Sequence, residues 1–317
     1  METPGTRRIH KGDKPLSARI LLVGDVMTDV IVRPAGPLAR GSDRRAQIRF
    51  RPGGSAANQA AWLASFGVEV DLVARVGLAD LKAESERLAE AGVTPHLIGD
   101  PERATGRLVA LIDGSGERSF YTDRAANEAL CSADIPDALI AGAAHIHLSG
   151  YSFFAPSPRA AALDVMRRAG GRPVSVDPAS AAFLREAGAE TFLGWTRGAA
   201  ILFPNADEAA ALTGTAEPEA QCGRLAALYP LVVLKRGAAG GLAAEGTQRW
   251  RVPAPAVEAV DATGAGDAFV AAFLAARLEG AAVLPALERA VAAGSRAVAR
   301  VGGRPGFARA DGNVQPD

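Results

Sequence analysis

The sequence DATGAGD, residues 261–267, places two glycines and a carboxylate directly before a strongly apolar stretch, residues 268–278. A glycine turn at a helix start leaves backbone N–H groups free, and these groups and the helix dipole bind anions. Phosphoryl transfer needs both an anion site and a base for the attacking hydroxyl. Asp267 is the candidate base. The alternative is a tight glycine loop in which Asp267 only caps the helix.

A second glycine cluster, RPGGSAAN, precedes another helical stretch. Gly53 and Gly54 allow a ligand to approach the backbone closely, and Asn58 carries a donor and an acceptor that suit a pair of polyol hydroxyls. Asp25 and Asp29 follow the first predicted strand, where acidic side chains commonly bind hydroxyl groups or metals. A plain glycine turn, and a helix-capping or solvent role for Asp25, are the alternatives.

Two further motifs, FPNADE and LKRGAAGG, each follow a predicted strand. Asn205 and Glu208 lie on one helix face by their i, i+3 spacing. Glu208 suits an outer ligand of magnesium, which keeps several waters and needs few carboxylates. Lys235 beside Gly237 and Gly240 suits a nucleotide phosphate or sugar. The chain has neither a Walker A pattern nor a GxGxxG fingerprint after the first strand, so these common reasons for glycine loops are excluded.

Short apolar runs alternate with helical patterns along the chain. This order predicts an α/β fold with a mostly parallel sheet and helices on both faces, whose ligands gather at the carboxyl ends of the strands. The predicted strands cover residues 19–23, 70–76, 145–148, 173–176, 200–203 and 231–234, and the predicted helices cover 56–65, 82–91, 158–169, 207–213, 219–228 and 268–278.

Two segments break this alternation. Residues 46–51 alternate polar and apolar side chains, and residues 107–122 are typical of a hairpin around a DGSG turn. Together they predict a small β-lid, which would keep water from the phosphoryl group; ordinary surface hairpins are the alternative. We expect a flexible N-terminal extension at residues 1–17, one domain at 18–310 with lid segments at about 31–52 and 104–124, and a C-terminal tail at 311–317.

Composition limits the class of protein. The 317 residues are 48% hydrophobic and carry no formal net charge, which supports a core and argues against a general nucleic-acid binder or a membrane-surface protein. Cys131 and Cys222 show no metal-ligand spacing. Because no apolar run approaches a membrane span and the start has no apolar signal core, we expect a cytoplasmic protein without nucleic-acid or membrane partners.

The four motifs GGSAAN, FPNADE, KRGAAG and DATGAGD, in this order, resemble those of the ribokinase-like (PfkB) family of sugar and nucleoside kinases. The resemblance covers about residues 19–307. It implies an αβα sandwich with a small β-sheet lid that often forms a homodimer, and ATP with magnesium as the phosphoryl donor. It also implies transfer of the γ-phosphoryl group to a hydroxymethyl group of a small sugar or sugar derivative.

The resemblance further implies a role for each motif residue. Asp267 matches the general base, and the backbone of Gly264, Ala265 and Gly266 matches the anion hole. The other matching positions are Asp29, Gly53, Gly54 and Asn58 for the substrate, Asn205, Lys235, Gly237 and Gly240 for the nucleotide, Glu208 for Mg²⁺ through water, and Asp261 and Thr263 for a monovalent cation such as K⁺.

Three positions depart from the family pattern. Met27 replaces an asparagine that binds ribose in ribokinases, Ser55 replaces a lysine, and Ala262 replaces a threonine. Ribose is therefore disfavoured as the acceptor. A nucleoside kinase of the same family and a catalytically silent nucleotide- or sugar-binding regulatory protein are the alternatives. The intact Asp267 favours an enzyme, because a silent protein does not need the base.

Overall fold

The computed structural model describes residues 18–37, 40–114, 118–299 and 302–305. The strands in these ranges are β1 (Ile20–Val23), β2 (Met27–Pro34), β3 (Ala46–Gly53), β4 (Val70–Gly77), β5 (Val93–Asp100), β6 (Gly106–Ile112), β7 (Arg118–Asp123), β8 (His145–Ser149), β9 (Val174–Asp177), β10 (Ile201–Leu202), β11 (Leu231–Lys235), β12 (Gly241–Glu245) and β13 (Gln248–Val252). The α-helices are α1 (Ser55–Ser65), α2 (Leu81–Glu90), α3 (Asp137–Gly142), α4 (Pro156–Arg168), α5 (Ala181–Ala187), α6 (Ala189–Trp195), α7 (Ala206–Thr213), α8 (Pro218–Ala226), α9 (Ala265–Leu278) and α10 (Val283–Val298).

Within the described ranges, nine strands form a central sheet in the order β13-β12-β11-β10-β9-β8-β1-β4-β5. Strands from β11 to β5 run parallel, while β12 and β13 add an antiparallel edge. The predicted mostly parallel sheet is confirmed. Each of the six strands predicted for it ends within one residue of an observed strand, namely β1, β4, β8, β9, β10 and β11.

Helices cover both faces of this sheet. Helices α1, α2, α9 and α10 pack on one face, and α3 to α8 pack on the other. Along β1, Ile20 and Leu22 point into the first layer and Leu21 and Val23 into the second, so every residue of this strand is buried apolar surface. The αβα arrangement is therefore confirmed. No helix in the described part of the chain is long and apolar enough to cross a membrane.

A second, four-stranded sheet has the order β3-β2-β6-β7. It confirms the predicted small β-sheet, and β6 and β7 form the predicted antiparallel hairpin, whose turn lies partly outside the described residues. The expected domain boundaries stay predictions. The N-terminal extension at residues 1–17 and the tail at residues 311–317 lie outside the described residues.

The path of the chain opens a crevice at the carboxyl end of β1. From this strand, β4 and β5 extend the sheet to one side, and β8 begins the opposite side. Ligands of open α/β sheets bind where the strand order reverses in this way. The small sheet begins at Met27, directly after β1, so it lies at this edge.

Candidate active site

Asp267 lies in the first turn of α9 and is held from α1. Ser55 Oγ donates to Asp267 Oδ1 at 2.8 Å, and Asn58 Nδ2 donates to Oδ2 at 3.1 Å. Burial raises the pKa of Asp267 to about 7, and the charge of Asp177 adds to this, although the two hydrogen bonds act in the opposite direction. A carboxylate with a pKa near neutrality is well matched to general-base catalysis.

The glycine turn before α9 presents backbone donors. Gly264 adopts a left-handed backbone with φ 74°, and a Cβ there would lie 2.4 Å from the Cα of Gly303. In the described part of the chain, the N–H groups of Gly266 and Asp267 have no acceptor, while Ala265 N donates to a backbone carbonyl at 3.3 Å. The first turn of α9 therefore offers donors to an anion.

Lys235 connects the end of β11 to the base. Its Nζ donates to both oxygens of Asp177 at 2.8 Å. Gln59 Nε2 donates to Asp177 Oδ2 at 3.1 Å and to Ser55 Oγ at 3.2 Å, and Ser55 contacts Asp267. Sequence reasoning missed Asp177 and Gln59, although Asp177 ends the buried strand β9, which is a signal for a ligand-edge carboxylate.

Asn205 and Glu208 form a capping box at the start of α7. Asn205 Oδ1 accepts from Glu208 N at 2.8 Å, and both Glu208 carboxylate oxygens accept from Asn205 N–H groups at 2.8 and 2.7 Å. Burial raises the pKa of Glu208 to about 7; the charge of Asp177 raises it further, and Lys235 lowers it.

The buried carboxylates of Glu208 and Asp177 supply the negative charge that a bound cation requires. Glu208 and Asp177 are 2% and 3% exposed and share the single cation Lys235, so a negative charge is in excess. Such a pair fits magnesium, which needs few carboxylates; because both Glu208 oxygens already accept hydrogen bonds, contact through water is favoured. No group of three or more His, Cys, Asp or Glu suited to a metal occurs in the described ranges.

A cavity of about 580 Å³ lies between the loop after β11 and helices α9 and α10. It is lined mainly by small apolar side chains, and Lys235, Gly237, Gly240 and Gly266 border it together. Gly240 has φ 84°, and a Cβ there would lie 2.0 Å from a backbone oxygen, so only glycine fits. Asn205 reaches this region through a backbone bridge to Lys235.

Asp29, Gly53 and Asn58 are brought together through Arg304. A Cβ on Gly53 would lie 2.2 Å from Asp29 Oδ1, and burial raises the pKa of Asp29 to about 6. Arg304, which sequence reasoning missed, enters this site: Nη2 donates to Gly53 O at 3.0 Å, and Nε donates to Asn58 Oδ1 at 3.1 Å. Asn58 is therefore a link between Arg304 and the base.

Asp25 has the helix-capping role considered for it. Its carboxylate accepts from the N–H groups of Ser55 and Ala56 at 3.2 Å and from Ser149 Oγ at 3.1 Å. Gly54 precedes this helix start with φ 93°, and a Cβ there would lie 2.6 Å from the Asp25 carbonyl oxygen. Gly54 therefore lets the backbone pass close to Asp25.

Asp261 joins the glycine turn to the last described segment. Its Oδ1 accepts from Thr263 N at 2.9 Å, and its Oδ2 accepts from Gly302 N at 3.2 Å. Asp261 and Thr263 border a small cavity against the face of the second sheet that carries Asp29. Their binding of a monovalent cation stays a prediction.

A model of the pfkB family of carbohydrate kinases matches residues 17–308. The chain belongs to this family. The family membership confirms both the resemblance seen in the motifs and the expected enzyme class, an ATP-dependent kinase of carbohydrate type.

Among curated relatives, the bifunctional protein HldE of Caulobacter vibrioides is 31% identical over 89% of this pfkB-family chain and 60% of its own length. The chain thus spans about 60% of that relative. An ATP-dependent ribose-1-phosphate kinase of Halopiger xanaduensis is 33% identical over 90% of this chain and 94% of its own. The match to the second relative covers most of both chains.

Among solved structures, a putative ribokinase II from E. coli, in complex with ATP and Mg²⁺, is 25% identical to this chain. The two superpose with a TM-score of 0.80 over 90% of this chain and 94% of that one. The likeness confirms the ribokinase-like fold.

Proposed function

We propose that the chain transfers the γ-phosphoryl group of ATP to a hydroxymethyl group of a small sugar or sugar derivative, with Asp267 as the general base. The observation that carries this is the position of Asp267. On one side, its neighbour Gly266 borders the large cavity beside Lys235; on the other, Asn58 connects it to Asp29, Gly53 and Arg304. We assign ATP to the first side and the acceptor to the second.

In this reaction the acceptor oxygen attacks the γ-phosphorus and the bond to the bridging oxygen of ADP breaks. The hydroxyl proton passes to Asp267, whose pKa of about 7 suits both taking and releasing it near neutral pH. The free N–H groups of Gly266 and Asp267 face the charge that develops on the phosphoryl oxygens. Lys235 keeps a positive charge close to the same place.

Magnesium, when bound, neutralises nucleotide phosphate charge and orients the phosphoryl group. We propose that Glu208, together with Asp177, holds it, since these buried carboxylates share one lysine. The E. coli relative in complex with ATP and Mg²⁺ supports this pairing of nucleotide and metal. K⁺ at Asp261 and Thr263 is proposed on the motif resemblance alone.

A nucleoside acceptor is the second candidate for the same active site, and the 420 Å³ cavity beside Asp25 has space for a base as well as a sugar. A silent regulatory protein is disfavoured by Asp267, because its two hydrogen bonds and raised pKa serve a base and not a passive ligand. We also propose a homodimer through the second sheet and a cytoplasmic location.

The test is Asp267→Asn, with turnover measured by coupled ADP release on neutral sugars, sugar phosphates, sugar acids and nucleosides. We expect turnover of the best acceptor to fall by about 10²-fold or more, the scale of a positioned general base, while ATP affinity by calorimetry is unchanged. Asp137→Asn is the matched control, because its side chain is 87% exposed on α3. Turnover of Asp267→Asn equal to that of the wild type would overturn the proposal.

A further inference from the structure

A second cavity, of about 420 Å³, lies at the carboxyl ends of β1 and β8, in the crevice where the strand order reverses. Asp25 borders it and accepts from Ser55 N at 3.2 Å, and the hydroxyl of Ser55 donates to Asp267. One residue therefore separates the cavity from the base. The cavity is therefore close enough for one bound molecule to place one group in it and another beside Asp267.

Two arginines enter this cavity, each against an aromatic ring. The Arg124 guanidinium carbon lies 4.0 Å from the centre of the Tyr151 ring, and that of Arg159 lies 4.5 Å from the Trp195 ring. All four residues border the cavity. A guanidinium with one face on a ring keeps its N–H edge for a planar or tetrahedral oxyanion, which it binds with two parallel hydrogen bonds.

The protein satisfies these guanidinium groups incompletely. The Arg124 side chain is 12% exposed, and its contact with a carboxylate is Nη2 to Asp25 Oδ2 at 3.2 Å. Asp25 is already engaged by the N–H groups that start α1. In the described ranges, Arg159 has no carboxylate within 4.0 Å, and it donates only to the Phe153 carbonyl at 3.4 Å. Donor capacity is left over for a ligand.

Three carboxylates in the described part of the chain border this cavity: Asp25, which is paired with Arg124, and Glu128 and Glu186, which oppose an anion. The two glutamates are exposed, so water and salt screen their charges. Neither has an ion-pair partner among the described residues. Asp25 is paired with Arg124, and the charges of the two glutamates are screened. Arg159, which has no carboxylate within 4.0 Å in the described ranges, therefore acts on a bound anion more strongly than the two glutamates do.

We propose that this cavity binds an anionic group of the acceptor, a phosphate or a carboxylate, so that the acceptor is a sugar phosphate or a sugar acid. Arg124 follows β7 of the second sheet and Arg159 belongs to α4, so the anion bridges the lid to the main domain. The inference rests on the proposed function, because the position of Asp267 determines where the acceptor hydroxyl lies.

The test compares Arg159→Gln with the wild type on pentose and hexose phosphates, aldonic acids and the parent neutral sugars. Losing a hydrogen bond between charged groups should raise KM for the anionic acceptor by about tenfold to a hundredfold. Glu186→Gln should lower the same KM. Arg167→Gln is the matched control, because this arginine lies on the same helix with its side chain 70% exposed. Arg159 is a cleaner probe than Arg124, whose loss would also disturb Asp25.

A binding measurement separates this inference from the proposed function. Calorimetry on Asp267→Asn should show binding of the anionic sugars, and the double variant with Arg159→Gln should lose it. Binding without turnover in the wild type would refute the kinase and leave the anion site standing. Preference for neutral sugars, or equal affinity of the two variants for every anionic sugar, would overturn the anion site. The phosphate and carboxylate series show which anion is bound.

Discussion

The neighbours of Asp267 have opposing effects on its pKa. Burial and the charge of Asp177 favour the protonated carboxyl, while the hydrogen bonds from Ser55 and Asn58 favour the carboxylate. Burial prevails, and the pKa rises from the ordinary 3.8 to about 7. A base with this pKa is half protonated close to neutral pH, where small changes in its neighbours alter the active fraction.

The first prediction is a pH dependence of catalysis. The proton must leave Asp267 before it accepts another, so kcat/KM should be level above about pH 7 and fall about tenfold per unit below it. Ser55→Ala removes a donor to the charged form, so the midpoint should move to higher pH. A pH–rate profile measures both. A midpoint near pH 4 would contradict the assignment of Asp267.

The second prediction distinguishes the two glycines of the turn. Gly264→Ala places a Cβ at φ 74° and 2.4 Å from Gly303, so the free energy of unfolding should fall by about 1–3 kcal/mol. At Gly266 a Cβ would meet Lys235 at an ordinary 3.8 Å. Gly266→Ala should therefore keep its stability and lose turnover, because the methyl group lies beside the donors. Urea unfolding measures the stability of the two variants, and ADP release measures their turnover. An equal loss of stability in both variants would contradict this distinction.

Individual site residues were predictable where a local motif carries them. The motif DATGAGD predicts the role of Asp267, and the motif GGSAAN predicts the role of Asn58. Arg304 carries no local signal, and the signal of Asp177 is only its position at the end of the buried strand β9. Arg304 contacts Asn58 across 246 positions of sequence, and only the packing of the last segment against α1 creates that contact.

At the scale of elements, burial explains which strands were predictable. Strands buried on both faces are continuous apolar runs, and these were located within one residue. Strand β5 was missed because Pro95 interrupts its pattern, which is tolerated at a sheet edge. Helix α10 was missed because Pro285 and Gly294 interrupt it; Pro285 lies in its first turn, where no intrahelical donor is lost.

The third prediction concerns the start of α7. Asn205→Ala removes the side-chain acceptor for Glu208 N and the Nδ2 donor to Glu208 Oε1, so the free energy of unfolding should fall by about 0.5–2 kcal/mol. Asp207→Asn, an exposed change in the same turn, is the control. Denaturant unfolding measures the difference. Equal stability of the two variants would show that the capping box contributes nothing.

At the scale of the whole molecule, one face of the second sheet is apolar and open. Phe50, Val30, Val109 and Tyr121 are aligned across its four strands, and the aromatic rings at the two edges are 70% and 66% exposed. The opposite face carries Asp29 and borders the site. If two copies of the chain packed these faces against each other, the apolar surface would be removed from water and the second sheets of the two copies would form the interface.

The fourth prediction follows from this face. The wild type should sediment as a homodimer, and Phe50→Glu should shift it to a monomer, because a charge would be buried in the interface. Leu228→Glu, at a residue that is 54% exposed elsewhere, is the control and should remain dimeric. Analytical ultracentrifugation measures both. A monomeric wild type would contradict the dimer.

The carboxylate of Asp267, in the first turn of α9 beside the cavity that Gly266 borders, also has a consequence for the stereochemistry of the proposed transfer. If donor and acceptor bind as proposed above, the acceptor oxygen attacks the γ-phosphorus of bound ATP directly, so we expect both to be bound before the bond breaks and no phosphorylated enzyme to form. Each turnover should then invert the configuration at phosphorus. A γ-thiophosphate made chiral with oxygen isotopes would reveal this, and initial rates should give intersecting rather than parallel double-reciprocal lines.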